Sequence, residues 1–207
     1  AGIPLSNHFD VPFEPAPDQF IHQFGFQLGQ QLYNHWKLFI DVYRDVESTL
    51  SVLTPWEKAW LNEHVDAFFF GDKPEGDQYN FFTTSNLMPL RFFSLGSRLD
   101  LGKLADNSLR LCHIVDEIYS NATEFATLFL ENDFVWDQQG LRLIVSSRDG
   151  VEHKESCDFF LDLGGNNNFY TNAGGTQGVR AACMHIDLFG NNNYFGDRFV
   201  QGSGFLG

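Results

Sequence analysis

Two stretches decide how this chain is read: residues 158–170, DFFLDLGGNNNFY, and residues 183–195, CMHIDLFGNNNYF. Laid on each other at an offset of 25 residues, Asp162 meets Asp187, Leu163 meets Leu188 and Gly165 meets Gly190. Asn166, Asn167 and Asn168 meet Asn191, Asn192 and Asn193, and Phe169 meets Tyr194. Each copy runs into a glycine-rich segment, where Gln177-Gly178 is echoed by Gln201-Gly202. This is an internal repeat of short apolar runs and glycine turns. At ~3.3 Å per strand residue, a period of that length accommodates three short strands with turns between them. The expectation is a parallel β-solenoid with one repeat per coil, over about 133–207. Stacked coils place Asn166 on Asn191, Asn167 on Asn192 and Asn168 on Asn193 as an amide ladder. Asparagine suits such turns because it tolerates left-handed backbone.

DLGGNNNFY and DLFGNNNYF resemble the DLxGNDxY repeats of β-solenoid segments in bacterial and archaeal surface proteins. More distantly they resemble the GGxGxDxUx calcium repeats of secreted toxins and proteases. The resemblance covers about 158–207. It implies a surface or exported protein, and it makes Asp162 and Asp187 the calcium candidates. The sequence departs from the calcium pattern at Asn168 and Asn193, where the repeats carry an aspartate. A neutral amide there removes charge that a hard cation needs, so a metal-free ladder is the favoured expectation and no cofactor is assigned. A third repeat begins at Gly202-Ser203-Gly204-Phe205 and then stops. An open coil is an exposed strand edge, so the expected partner is another protein strand or a second copy of the chain.

Working back from the repeat, Leu141–Val145 is a short β-type run, and before Phe134 the period is helical. Apolar residues at steps of three and four mark a long helix from Asp18 to Leu50 through Phe24, Leu28, Leu32, Trp36, Tyr43 and Val46. Gly25 and Gly29 form GxxxG, read as close helix packing because the surrounding glutamines make the segment too polar for lipid. Thr54-Pro55-Trp56-Glu57 is a capping box opening a helix that is expected to reach about Phe70. Further helices are expected over 86–98 and 104–132. Residues 1–17, with four prolines, read as an extended arm lying on the body through Phe9 and Phe13. The predicted class is α+β: an N-terminal helical bundle over 1–132, followed by the first coils of the solenoid.

The chain has 207 residues, a net charge of −14 and 23 phenylalanines. Thirteen scattered Lys and Arg exclude nucleic acid as a partner, since phosphate binding needs them clustered. No apolar run is long enough for a transmembrane helix. Cys112, Cys157 and Cys183 lie far apart with no CxxC, leaving either one disulfide with a spare thiol or three buried thiols. Asn121-Ala122-Thr123 is a formal glycosylation sequon, and export is the expected location.

Enzyme chemistry has few footholds. His113, Asp116 and Glu117 share one helix face, and Glu63, His64 and Asp66 lie on another. Together they are the candidate metal site of a helical bundle, although no ExxH motif accompanies them. Cys183 and His185 fall on one side of a strand without a third orienting group. Asp158, Asp162, Asp187 and Asp197 are the acids a polysaccharide-cleaving enzyme would draw on. The leading expectation is a non-enzymatic structural or binding protein that assembles through its open repeat end. The alternatives are the polysaccharide enzyme and a calcium-dependent repeat module.

Overall fold

The structure is a computed structural model that describes residues 14–61, 87–170, 174 and 180–195. The proline arm before residue 14, the segment holding Glu63, His64 and Asp66, Asp197 and the third repeat at 202–205 lie outside the described residues. Helices α1 (Asp18–Phe24) and α2 (Phe26–Leu50) come first, then α3, described over 55–61. They are followed by α4 (Leu87–Gly96), α5 (Leu101–Ser120) and the short α6 (Ala122–Phe125). The strands are β1 (Phe134–Gln138), β2 (Leu141–Ser146), β3 (Glu152–His153) and β4 (Phe159–Asp162), then β5 (Asn168–Phe169), β6 (Met184–Asp187) and β7 (Asn193–Tyr194).

The α+β class stands, and α2, α3, α4 and α5 pack together around Val42, Val46, Leu61, Phe92, Leu95 and Leu104, but among the described residues the repeats form no β-solenoid. The strands make a four-stranded mixed sheet, β1-β2-β4-β6, and a three-stranded sheet, β3-β5-β7. In the first, the β1–β2 pair is antiparallel and the β2–β4 and β4–β6 pairs are parallel. A solenoid coil needs three walls from each repeat. Among the described residues each repeat supplies one four-residue strand and one two-residue strand, and a helix covers the face of the four-stranded sheet that lies away from the second sheet.

That helix is α2. Its stripe of Leu32, Trp36, Phe39 and Ile40 lies in one buried cluster with Leu143 and Val145 of β2, Phe159 and Leu161 of β4, and Met184 and Ile186 of β6. Strand periodicity explains the choice, because alternate residues of each strand point to the helix. The intervening Ile144 and Phe160 face the second sheet, in a cluster with Cys157 and Phe169. Helix α2 therefore shares one core with the sheet, while its C-terminal half packs with α3, α4 and α5 in a second cluster. Trp36 is 0% exposed, and its indole N–H donates to Gln138 Oε1 at 2.9 Å, so its polar end is satisfied inside that core.

The long helix expected from Asp18 is broken at Gly25, whose φ of 76° and ψ of 167° no helix contains. The break folds α1 back onto α2. Gly29 makes the approach feasible: a Cβ there would stand 2.6 Å from the Phe20 carbonyl oxygen. The close packing read from GxxxG is thus between α1 and α2. The capping box is closed as expected, with Thr54 N–H donating to Glu57 Oε2 at 2.7 Å and Glu57 N–H donating to Thr54 Oγ1 at 3.2 Å. The helical pattern expected over 104–132 starts earlier, at the Asp100 cap, which accepts from Lys103 N at 2.9 Å. It ends at Phe125, from which the chain turns toward β1. A two-residue turn at Gln139 (φ 58°) and Gly140 (φ 83°) joins β1 to β2, the positive-φ pair a tight hairpin requires.

Gly29→Ala forces backbone apart at the α1–α2 crossing. It is expected to cost about 1–3 kcal/mol, as overpacking does, seen as a lower urea midpoint with an unchanged slope.

Candidate functional site at the asparagine rungs

The repeats are held in register by main chain first. Asp162 lies opposite both Ser146 and Asp187, and Asn168 opposite Glu152 and Asn193. The turns between the two sheets bring backbone against backbone. Gly165 (φ 118°) and Gly190 (φ 114°) adopt a conformation that side-chain-bearing residues rarely reach. A Cβ on Gly165 would stand 2.3 Å from Arg148 O, and one on Gly190 would stand 1.7 Å from Gly165 O.

The amides then lock the rungs together. Asn167 Oδ1 reaches back to accept from Val151 N at 3.0 Å, and Asn192 Oδ1 reaches back to accept from Asn167 N at 2.7 Å. The first position of each turn reaches forward instead. Asp149 Oδ1 accepts from Asn166 N at 2.7 Å, and Asn166 Oδ1 accepts from Asn191 N at 3.2 Å. At the third position Asn193 Nδ2 donates to Asn168 Oδ1 at 3.0 Å. The turn amides of Val151, Asn166, Asn167 and Asn191 are thereby each satisfied by a side chain one rung away.

These bonds expose a rung that sequence reading missed. Residues 143–153 form the first level of the stack, with Ser146, Asp149 and His153 in the places of Asp162, Asn166 and Phe169. The signal lies in spacing: Ser146 precedes Glu152 by the same interval that separates Asp162 from Asn168 and Asp187 from Asn193. Between the first and second rungs the offset is 16 rather than 25 residues, which hid the match.

Asp162 is the electrostatic centre. It is 0% exposed and accepts from Gly164 N at 3.1 Å, Asn167 Nδ2 at 3.2 Å and Asn192 Nδ2 at 3.3 Å. The Asn192 amide is shared with Asp187 Oδ2 at 2.7 Å, which also accepts from the Tyr194 hydroxyl at 3.0 Å. Burial pushes the Asp162 carboxyl up to about 7, and the neighbouring Asp187 adds to the rise against the pull of the amide bonds. Next to the turns stand two ring columns. His153 stacks on Phe169 at 4.7 Å and Phe169 on Tyr194 at 5.2 Å, while Phe160 stacks on His185 at 5.1 Å. Burial holds the His185 imidazole down to about 4 and lowers His153 as well, so both sit in this aromatic layer as neutral rings.

The remaining candidates are placed differently. His113, Asp116 and Glu117 are all exposed on α5, and among the described residues no three His, Cys, Asp or Glu side chains converge as metal ligands. Asp162 and Asp187, the calcium candidates, accept instead from the side-chain amides of Asn167 and Asn192. Asp158 is bound by Arg180 Nε at 2.8 Å and by Arg142 N at 2.8 Å, at the start of β4. Cys183 points its sulfur at Cys157 O, 3.5 Å away, and burial pushes its thiol up to about 12, which is unsuited to a nucleophile. A comparison with protein-family models, with curated proteins and with solved structures finds no match to this chain.

Two predictions follow from the rungs. Asn167→Ala strands Val151 N–H and removes a donor from Asp162, and is expected to cost about 2–4 kcal/mol. Asn191→Ala, whose exposed side chain makes no such bond, should stay within about 0.5 kcal/mol; chemical denaturation compares the two. For pH, a carboxyl raised in the folded state contributes most below its unfolded value and loses that contribution as pH climbs through about 7. His185 and His35, both lowered by burial to about 4, act in the opposite sense up to their ordinary value. Asp162→Asn isolates the carboxyl. Relative to the parent, the variant should gain stability as pH rises from about 4 to 7, by up to ~1.4 kcal/mol per unit. A pH-independent difference would refute this assignment.

Proposed function

We propose that this chain is a non-enzymatic structural protein that assembles by strand addition at the edge formed by β6 and β7. The observation that carries the reading is the set of hydrogen-bonding groups on the last rung of the described residues, Asn191–Asn193. In the rungs before it, the forward-reaching oxygen at the first turn position accepts an amide from the next level. Asn191 Oδ1 is the next such acceptor, Asn192 N the matching donor and Asn193 Oδ1 the ladder acceptor, and none is bonded among the described residues.

The main chain repeats the pattern. Met184 N and Leu188 N donate toward β4, and Asn193 N and Phe195 N toward β5, so His185, Asp187 and Tyr194 turn their own N–H and C=O groups to the outer side. An added parallel strand pair with amides at the central and third turn positions satisfies all of these at once. Tyr194 and Phe195 extend the ring columns to the same edge, where an incoming aromatic ring continues the stack.

The polysaccharide-cleaving alternative is the weaker reading, because its best-placed acid, Asp162, is fully buried and cannot touch a sugar. Sedimentation velocity over a range of concentrations tests the proposal, together with titration of a peptide of residues 181–195 into isotope-labelled protein. Self-association or saturable binding is expected, with shifts confined to β6, β7 and the turn between them. Asn193→Lys, which places a charge on the exposed edge, should abolish it with little loss of stability. A chain that stays monomeric and ignores the peptide would sink the reading.

A further inference from the structure

Outside the asparagine rungs, two cysteines are neighbours at the far end of the same parallel strands. Cys157 and Cys183 are 26 residues apart in sequence. The β4–β6 register pairs Phe159 with Met184, which sets Asp158 opposite Cys183 and Cys157 one step diagonal to it. With strands ~4.8 Å apart and a rise of ~3.3 Å per residue, that diagonal separates the two Cα atoms by roughly 6 Å. Disulfides bridge Cα separations of about 4.4–6.8 Å.

In a regular strand the diagonal neighbour points to the opposite face. Here the chain bends at residue 158, where the Asp158 carboxylate turns to Arg142 N and Arg180. The bend leaves Cys157 packed between the sheets with Ile144, Phe160 and Phe169. Cys183 has the alternation of His185, whose ring packs on Phe160 and Phe169 in that same layer. Its sulfur lies 3.5 Å from the Cys157 carbonyl oxygen, and the structure has both residues as thiols.

We infer that Cys157 and Cys183 are a disulfide-forming pair that ties β4 to β6 when the chain folds in the presence of a small-molecule disulfide. In the step, one cysteine thiolate attacks the disulfide, for example oxidised glutathione, and displaces one glutathione thiolate. The second cysteine then attacks the mixed disulfide and displaces the other. Two protein thiols lose two electrons and two protons, and one glutathione disulfide becomes two glutathione thiols. Burial pushes both cysteine thiols up, Cys183 to about 12, so the thiolate needed for attack is scarce once the core has closed. The bond therefore forms during folding and is then shielded. An oxidising compartment, as export provides, is where this chemistry runs.

The test refolds the chain from denaturant in a glutathione redox buffer. Cys112, exposed on α5, is replaced by Ser in a parallel sample to remove thiol exchange. A single intrachain Cys157–Cys183 linkage is expected by intact mass and peptide mapping in both samples. The oxidised form should melt roughly 5–10 °C above its reduced form, from loop closure in the unfolded chain. Native reduced protein treated with oxidised glutathione should be modified at Cys112 before either buried thiol. The inference is overturned if Cys157 and Cys183 are both still alkylated after oxidative refolding, if mapping pairs either with Cys112, or if the oxidised form melts lower. Because the unsubstituted chain is mapped as well, failure of Cys112→Ser to fold does not spare the inference.

Discussion

The approach of one rung to the next at Gly165 and Gly190 is the constraint on which the β half of the molecule depends. With Gly165 O almost in the place of a Cβ on Gly190, the turn backbones touch, and that contact crowds water out from between them. Something else must accept their N–H protons. Asparagine does so because its carbonyl lies at the right reach to accept a neighbouring amide, while its NH₂ group remains available for a carboxylate. Glycine and asparagine are therefore two halves of one solution: the first permits the contact and the second satisfies the polar groups that the contact dehydrates.

Burial of Asp162 follows from the same geometry. Once the rungs close, its carboxyl lies inside the turn, and among the described residues the Asn167 and Asn192 amides are the donors that replace water at Oδ2. They do not offset the desolvation, since the carboxyl still titrates well above the ordinary range. Ser146 takes the equivalent place in the first rung and gives its hydroxyl to Asp133 at 2.7 Å. Only at the last rung, where solvent reaches Asp187, does a carboxylate sit at this position without being fully enclosed. Helix α2 bears on the other face. By covering Leu143, Phe159, Leu161 and Met184 it holds three successive strands at one height, and the short second-sheet strands need that support because two-residue pairings are weak alone.

Much of this was legible in the residues, and the illegible parts have physical reasons. The offset of 25 between the two copies named the partners in the ladder, because identical side chains at a constant interval satisfy one another only when stacked. The helical stripe through Trp36 and Phe39 named the buried face of α2. It could not say what that face met, since an apolar stripe packs equally well on helices or on a sheet. That ambiguity hid the sheet, which the first part of the stripe covers while its far end meets other helices. The break at Gly25 was hidden because the apolar steps continue through it. The first rung was hidden because Asp149 and Ser146 perform with different side chains what Asn166 and Asp162 do below them.

The chemistry of the rungs also bears on what the stack can recognise. A carboxylate at every turn position would make a cation the natural filler between levels, and assembly would follow its concentration. Amides at those positions make the filler another amide. Each rung then offers an oxygen forward and a backbone N–H for the returning side chain, so the complement of one rung is a second rung of the same kind. Specificity in such an edge lies in register: a strand shifted by one residue presents Phe169-type rings where amides are needed, and leaves buried N–H groups unanswered.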